Sequence, residues 1–235
     1  QLRLEPLADG TTLQLQSDRV FIDPPVVAAA RKLARPYRRM STYFVNHLRH
    51  GDASTPFSMI TAADLPQTEG LARDEIVVCD WLAEDLGVAV GDEVIVDYPV
   101  ATSGRGREER RASFRVAEVL ALDTAWPVGE EAMPGFPGMD EDATCATFMP
   151  QAPIPLDEIR TKDEDYCREY GGTPKALIAY DRGAELWQSR FGTMTAIRYP
   201  DAVDERAQVA AALKAHLAPA DMGLQPVAVR QQGLR

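Results

Sequence analysis

The stretch from Gly172 to Pro200, GTPKALIAYDRGAELWQSRFGTMTAIRYP, constrains this chain more than any other. Lys175 to Tyr180 is an apolar run of strand length, and Gly183 to Phe191 reads as a short helix. Thr193 to Tyr199 reads as a second strand. A helix follows from Asp204, where Val209, Leu213 and Leu217 line one face at four-residue spacing and Pro219 ends it. A last strand is expected over Gln225 to Arg230. Strands and helices alternating at this spacing call for a mixed α/β layer in which helices cover a sheet.

The other end of the chain supplies partners for that layer. Leu2-Arg3-Leu4 and Leu13-Gln14-Leu15 alternate as a strand pair turning at Asp9-Gly10. Pro24-Pro25 opens an apolar helix over Val26 to Ala34, and Pro36 stops it. Met40 to Leu48 and Phe57 to Thr61 read as strands around a His50-Gly51-Asp52 turn. A second unit begins near Leu71. There, Glu75 to Cys79 is a strand, and Asp80 caps a short helix to Leu86, with Gly87 ending it in a left-handed conformation. Gly91-Asp92 turns the chain into a strand whose Val94, Val96 and Tyr98 share one face, with Ile95 and Asp97 on the other. The polar run Thr102 to Arg111 reads as a loop, and Ser113 to Leu122 as the returning strand. Residues 1–70 with 190–235 therefore form an α+β unit, and residues 71–189 a β-rich insertion into it.

Trp126 to Pro155 is a long loop rich in Pro, Gly, Met and acid. Its aromatic and sulfur side chains can dock on the domain's own core or form an adaptable surface for a partner. Trp126, Met133, Phe136, Met139 and Phe148 are the candidate contact residues on the second reading. Leu156 to Tyr170 is expected to be a short polar helix.

A formal net charge of −11 speaks against nucleic acid, whose phosphates need clustered Lys and Arg. The charge is uneven. Arg31 to His50 holds six basic residues and no acid, while Asp123 to Asp165 holds eleven acids. These read first as solvated faces, and second as a basic stretch facing anionic headgroups or an acidic partner. No run approaches the roughly 18 apolar residues of a membrane helix. No signal peptide is present, and a chain opening on Gln1 is expected to be a piece of a longer one. Three cysteines leave one unpaired: Cys79 reads as a buried small hydrophobe, and Cys145 with Cys167 are candidates for a disulfide.

Catalytic motifs are not found. There is no G-x-S-x-G elbow around Ser58, and no P-loop. Ser103-Gly104-Arg105-Gly106 sits at a charged hairpin tip with no helix behind it to hold a phosphate. His47 and His50 lack an evident third metal ligand. Asp140-Glu141-Asp142 lacks the alternation of a calcium loop. No catalytic residue, metal or cofactor is therefore assigned.

Several blocks together carry a family resemblance. They are ITAADLP (Ile60 to Pro66), DEIVVCDWLAEDLGVAVGDEVIV (Asp74 to Val96), PGFPGMDEDATC (Pro134 to Cys145), Gly172 to Gly192 and the terminal PVAVRQQGLR. In these the chain resembles the extracytoplasmic domain of FtsX-like ABC transporter permeases, the group that includes the MacB periplasmic core domain. The resemblance implies a non-catalytic, extracytoplasmic (periplasmic) domain of a cytoplasmic-membrane protein. Its fold would be α+β, with a membrane-proximal, Porter-like α/β layer and an inserted, Sabre-like β-rich subdomain. It also implies a cytoplasmic ATPase acting through the parent permease, a second permease subunit, and an extracytoplasmic protein or lipoprotein cargo. Outside that family, a secreted ligand-binding domain or a carboxylate-based hydrolase remains as the alternative.

Overall fold

A computed structural model of the chain describes residues 1–101, 106–136, 158–189, 191–218 and 220. The expected strand at 225–230 lies outside them. Strands β1 (Leu2–Pro6) and β2 (Leu13–Ser17) form an antiparallel hairpin. Its turn is fixed by Asp9, whose Oδ1 accepts the Thr11 and Thr12 amides at 2.8 Å each. Helix α1 (Pro24–Lys32) follows, then β3 (Arg38–His50) and β4 (Ala53–Ala63), joined through Gly51 at φ +54°. Next come β5 (Glu75–Cys79) and α2 (Asp80–Leu86), which ends on Gly87 at φ +68° as the sequence requires. The chain continues through β6 (Glu93–Ala101), β7 (Arg107–Leu120), α3 (Thr161–Tyr170), β8 (Ala176–Ala179), α4 (Tyr180–Leu186), β9 (Ala196–Tyr199) and α5 (Arg206–Ala215).

All nine strands belong to one sheet, in the order β1-β2-β9-β3-β4-β8-β5-β7-β6, and β6 returns to pair with β3. Six strands, β3-β4-β8-β5-β7-β6, thus close into a barrel-like ring, and β9, β2 and β1 extend from β3 as an open layer. Within the ring β4–β8 and β5–β7 are parallel and the other pairs antiparallel. Closure removes the edges that an open sheet would leave exposed.

Two apolar cores result. One fills and surrounds the ring and includes Val45, Leu48, Ile60, Val78, Phe114 and Leu177. The other lies between the open layer and α1 and α5, through Leu13, Ile22, Val26, Ile197, Tyr199 and Leu213. Strands β3 and β4, which the sequence reading places in the first unit, share the ring core with residues from 75 to 187.

Three local features differ from expectation. Strand β7 begins at Arg107, inside the polar run read as a loop, because each exposed residue from Arg107 to Arg111 is ladder-paired to β6. Asp97 is 2% exposed although alternation assigned it to the outer face, because Arg49 and Arg111 both reach it. Helix α4 starts at Tyr180 and stops at Leu186, so Gly183 lies inside it. There a Cβ would overlap that of Ala62 on β4 and lie 2.8 Å from Trp187 Cζ3. Gly183 therefore lets α4 sit directly on the barrel, and Trp187 stacks flat on Tyr43 at 5.1 Å.

Replacing Gly183 by Ala gains about 1 kcal/mol of helix propensity. The overlap costs about 1–3 kcal/mol, and the contact with Ala62 Cβ, fixed to the β4 backbone, leaves little room to relax. Urea unfolding of Gly183→Ala is expected to show a net loss of stability, with Ala62→Gly in the same chain restoring part of it.

Candidate functional site: the seam between the cores and the network under α3

The two cores meet where β3 passes from one to the other. Its first residues, Arg38 to Met40, pair with β9, and His47 to Arg49 pair with β6. At the crossing Arg39 binds Asp64 at the end of β4 through Nε at 2.8 Å and Nη2 at 2.9 Å. It also binds Asp181 of α4 through Nη1 at 2.5 Å, and its guanidinium lies 4.2 Å over the Tyr180 ring. The bond to Asp64 dominates in keeping Arg39 charged and raises its pKa. One side chain thus joins β3, β4 and α4. Beside it opens a cleft of about 360 Å³ lined by Arg38, Asp64, Thr68, Glu69 and Asp181 among others.

A second polar assembly lies between α3 and the barrel. Arg160 forks onto Asp163 (Nε to Oδ2 2.8 Å, Nη2 to Oδ1 2.7 Å) and reaches Asp85 of α2 at 2.6 Å. It also donates to the Ser54 carbonyl at 3.1 Å. Thr55 Oγ1 and Lys162 bind the same Asp85 carboxylate. Lys175, 4% exposed, places Nζ 4.1 Å from the Trp81 ring centroid and 4.6 Å from that of Tyr166, with Asp163 at 3.9 Å. Burial pushes the Lys175 ammonium down to about 8, against the pull of Asp163. Burial alone would raise the Asp163 carboxyl, but the Arg160 fork holds it below the usual carboxylate range. Ion pairs held this way are surrounded by rings and by one another, so each is costly to break singly.

The candidate contact residues of the long loop do not stay together. Trp126 and Met133 are each 5% exposed, docked on the chain's own core. Trp126 Nε1 donates to the Pro174 carbonyl at 2.9 Å. The buried Arg198 binds Gln14 Oε1 at 2.9 Å and the carbonyls of Glu130 and Glu131. Phe136 is half-buried, and Met139 and Phe148 lie outside the described residues. So do Cys145 and the acids 140–142. Cys79 is free and buried, and Cys167 is disulfide-bonded. His47 Nε2 meets Glu158, and His50 Nδ1 meets the Glu93 carbonyl, both at 2.8 Å. Among the described residues no three His, Cys, Asp or Glu side chains are grouped to hold a metal. Ser58 is buried, its hydroxyl on the Pro56 carbonyl at 3.4 Å. The basic stretch 31–50 is divided, with Arg35, Arg39 and Arg49 on acids elsewhere in the chain and Arg31 and Lys32 exposed.

Sequence reading missed Arg39, Arg160 and Lys175 as a group. One signal was present: a lysine preceding a strand as apolar as ALIA invites a search for its counter-charge.

No family model matches the chain, and no curated protein does. Among solved structures, a crystal structure of a domain of a protein assigned as a permease, from Porphyromonas gingivalis, is similar over 88% of this chain and 87% of that one. The TM-score is 0.39 and the identity 12%. The likeness is loose, below what two chains of one fold show. No described helix is long and apolar enough to cross a membrane.

The buried lysine has a measurable pH signature. Below about 8 both the folded and unfolded chains hold its proton and the burial cost is full. Between about 8 and the unfolded value of 10.5 the unfolded chain binds a proton that the folded one lacks. Stability from this group therefore rises with pH, by about 3 kcal/mol at most. Cys79, pushed up by burial to about 12, acts in the opposite sense above its unfolded value of 9. Lys175→Met isolates the lysine. As pH is raised from 7 to 9 the parent is expected to gain stability relative to the variant, measured by denaturant unfolding of both chains.

Proposed function

We propose that this chain is the extracytoplasmic domain of an FtsX-like ABC transporter permease. Its work is to pass movement from the membrane helices of its parent to an extracytoplasmic protein or lipoprotein, without chemistry of its own. The residue blocks from Ile60 to Gly192 support the family. One observation supports the mechanical role: β3 is a single 13-residue strand hydrogen-bonded into both cores. A displacement of the open layer cannot leave the barrel behind without breaking that ladder. In this reading the open layer with α1 and α5 is the membrane-proximal, Porter-like unit. The barrel and the segment after Trp126 form the Sabre-like part that meets cargo. ATP hydrolysis by a cytoplasmic partner would supply the work, and a second permease subunit would complete the machine.

The carboxylates support this reading over a hydrolase. A general acid needs a raised pKa. Burial pushes Asp97 and Asp163 that way, but arginines overcome it and hold both low. The ligand-binding reading has the cleft beside Arg39 in its favour. At about 360 Å³ that cleft is at the small end of ligand sites, and its central cation is already matched by two carboxylates.

Two measurements test the proposal on the full-length parent in membranes. Protease added outside intact spheroplasts should cut within this domain, and full protection would remove the extracytoplasmic placement. With the cognate ATPase present, a fluorophore at Val90, 62% exposed on a barrel loop, should change its distance to a quencher in the lipid surface when ATP is added. A distance indifferent to ATP would remove the coupling.

A further inference from the structure

Helix α3 is attached to the rest of the protein by a different chemistry from that of its neighbours. Helix α1 buries Val26, Val27, Ala29 and Ala30, α2 buries Leu82, Ala83 and Leu86, and α5 buries Val209 and Leu213. Helix α3 buries Asp163 and Tyr166. Its sequence, TKDEDYCREY, has no aliphatic stripe, and ten isolated residues do not hold a helix in water. What docks it is the Arg160 fork, the Lys162–Asp85 and Lys175–Asp163 pairs, and Tyr166 packed on Trp81 of α2 at 5.0 Å. The carboxylates at the centre are nearly sealed, with side chains of Asp85 and Asp163 2% and 4% exposed. Arg160, 33% exposed, faces solvent on one side. A network of this kind is strong when complete and gives way as a unit once its central cation lets go. Water reaches Arg160 from that side, as it does Lys162, 51% exposed on the same Asp85 carboxylate.

We propose that α3 is a latch that docks on and leaves the barrel as one piece, with Arg160 as its clasp, while the barrel strands stay folded. The observation carrying this is that α3 buries Asp163 and Tyr166 and no aliphatic side chain, whereas each barrel strand buries several apolar ones. Opening frees the Asp85 carboxylate to water and removes Tyr166 from β5, whose Cys79 thiol lies against the Tyr166 hydroxyl. Local openings of this kind draw on the low-stability end of a structure. The inference does not depend on the permease reading. In a force-transmitting domain, such a latch would be the element moved against its partner.

Cys79 provides the readout. It is free, buried, and covered by α3, so its labelling by a thiol reagent under native, non-reducing conditions counts openings. In the unmodified 235-residue chain, Cys79 is expected to label at least tenfold faster than global unfolding allows, while the amides of Val77, Val78 and Leu177 exchange only at the global rate. Arg160→Met should raise the labelling rate a further tenfold or more and leave those amides unchanged. Arg160→Lys, which keeps the charge but loses the fork, should fall between. Labelling of the unmodified chain at the global unfolding rate would overturn the latch. So would a rise in labelling matched by an equal rise in exchange at Val77, Val78 and Leu177.

Discussion

Strand β3 hydrogen-bonds to three different strands along its length, and the remainder of the molecule is arranged around the need to satisfy all three. Arg38 to Met40 belong to the ladder with β9, Met40 to His50 to that with β4, and His47 to Arg49 to that with β6. Unpaired backbone groups are expensive once buried, so neither core can be assembled or moved as though the other were absent. On β4, Phe57 holds a positive φ of +40°, rare for an aromatic residue, just ahead of the residues that pair with β8 from Ile60 onward. Its ring stacks on Phe44 of β3 at 5.9 Å.

Buried and half-buried charge marks joints in this protein. Asp97 fixes β6 to β3 and β7 through Arg49 and Arg111, Asp64 fixes the end of β4 to β3 through Arg39, and Asp85 and Asp163 fix α3 to α2. Pairs of this kind contribute less to net stability than well-packed apolar side chains of the same size. What they do provide is a single acceptable register, since a slip by one residue leaves a carboxylate sealed without its arginine. A domain that passes on movement, as proposed above, would need joints that are specific and that can be broken. Arginine–carboxylate forks meet both requirements better than leucine does.

Local structure was largely readable from the sequence because it depends on neighbours in the chain. Asp9-Gly10, Pro24-Pro25, Gly51 and Gly87 each act within a few residues, and each turn or cap lies where its residue type places it. The apolar strands Glu75–Cys79 and Ala176–Ala179 were legible for the same reason. The joints were not. Arg49 meets Asp97 across 48 residues and Arg160 meets Asp85 across 75, and nothing in a one-dimensional pattern links them. Alternation along β6 set Asp97 on the face opposite Val94 and Val96, but it could not show that arginines on both neighbouring strands would bury it there. The block GTPKALIAYDRGAELWQSRFG is distinctive for a structural reason. Lys175 sits in its aromatic box, Gly183 lets α4 touch β4, and Trp187 fills the gap against Tyr43, so a motif noticed as a family signature is a packing device.

The pairing of β2 with β9 brings Leu13 against Tyr199 and Gln16 against Ala196, joining the amino-terminal hairpin to the last strand of the described sequence. During synthesis the β1–β2 hairpin must therefore wait, the β2 edge toward β9 unmatched, until the residues up to Tyr199 have left the ribosome. Contacts closed over such spans form slowly, and an open strand edge is what neighbouring chains capture in the meantime. The order of synthesis thus makes the layer holding β1 and β2 the last to be completed and the first exposed to misassembly.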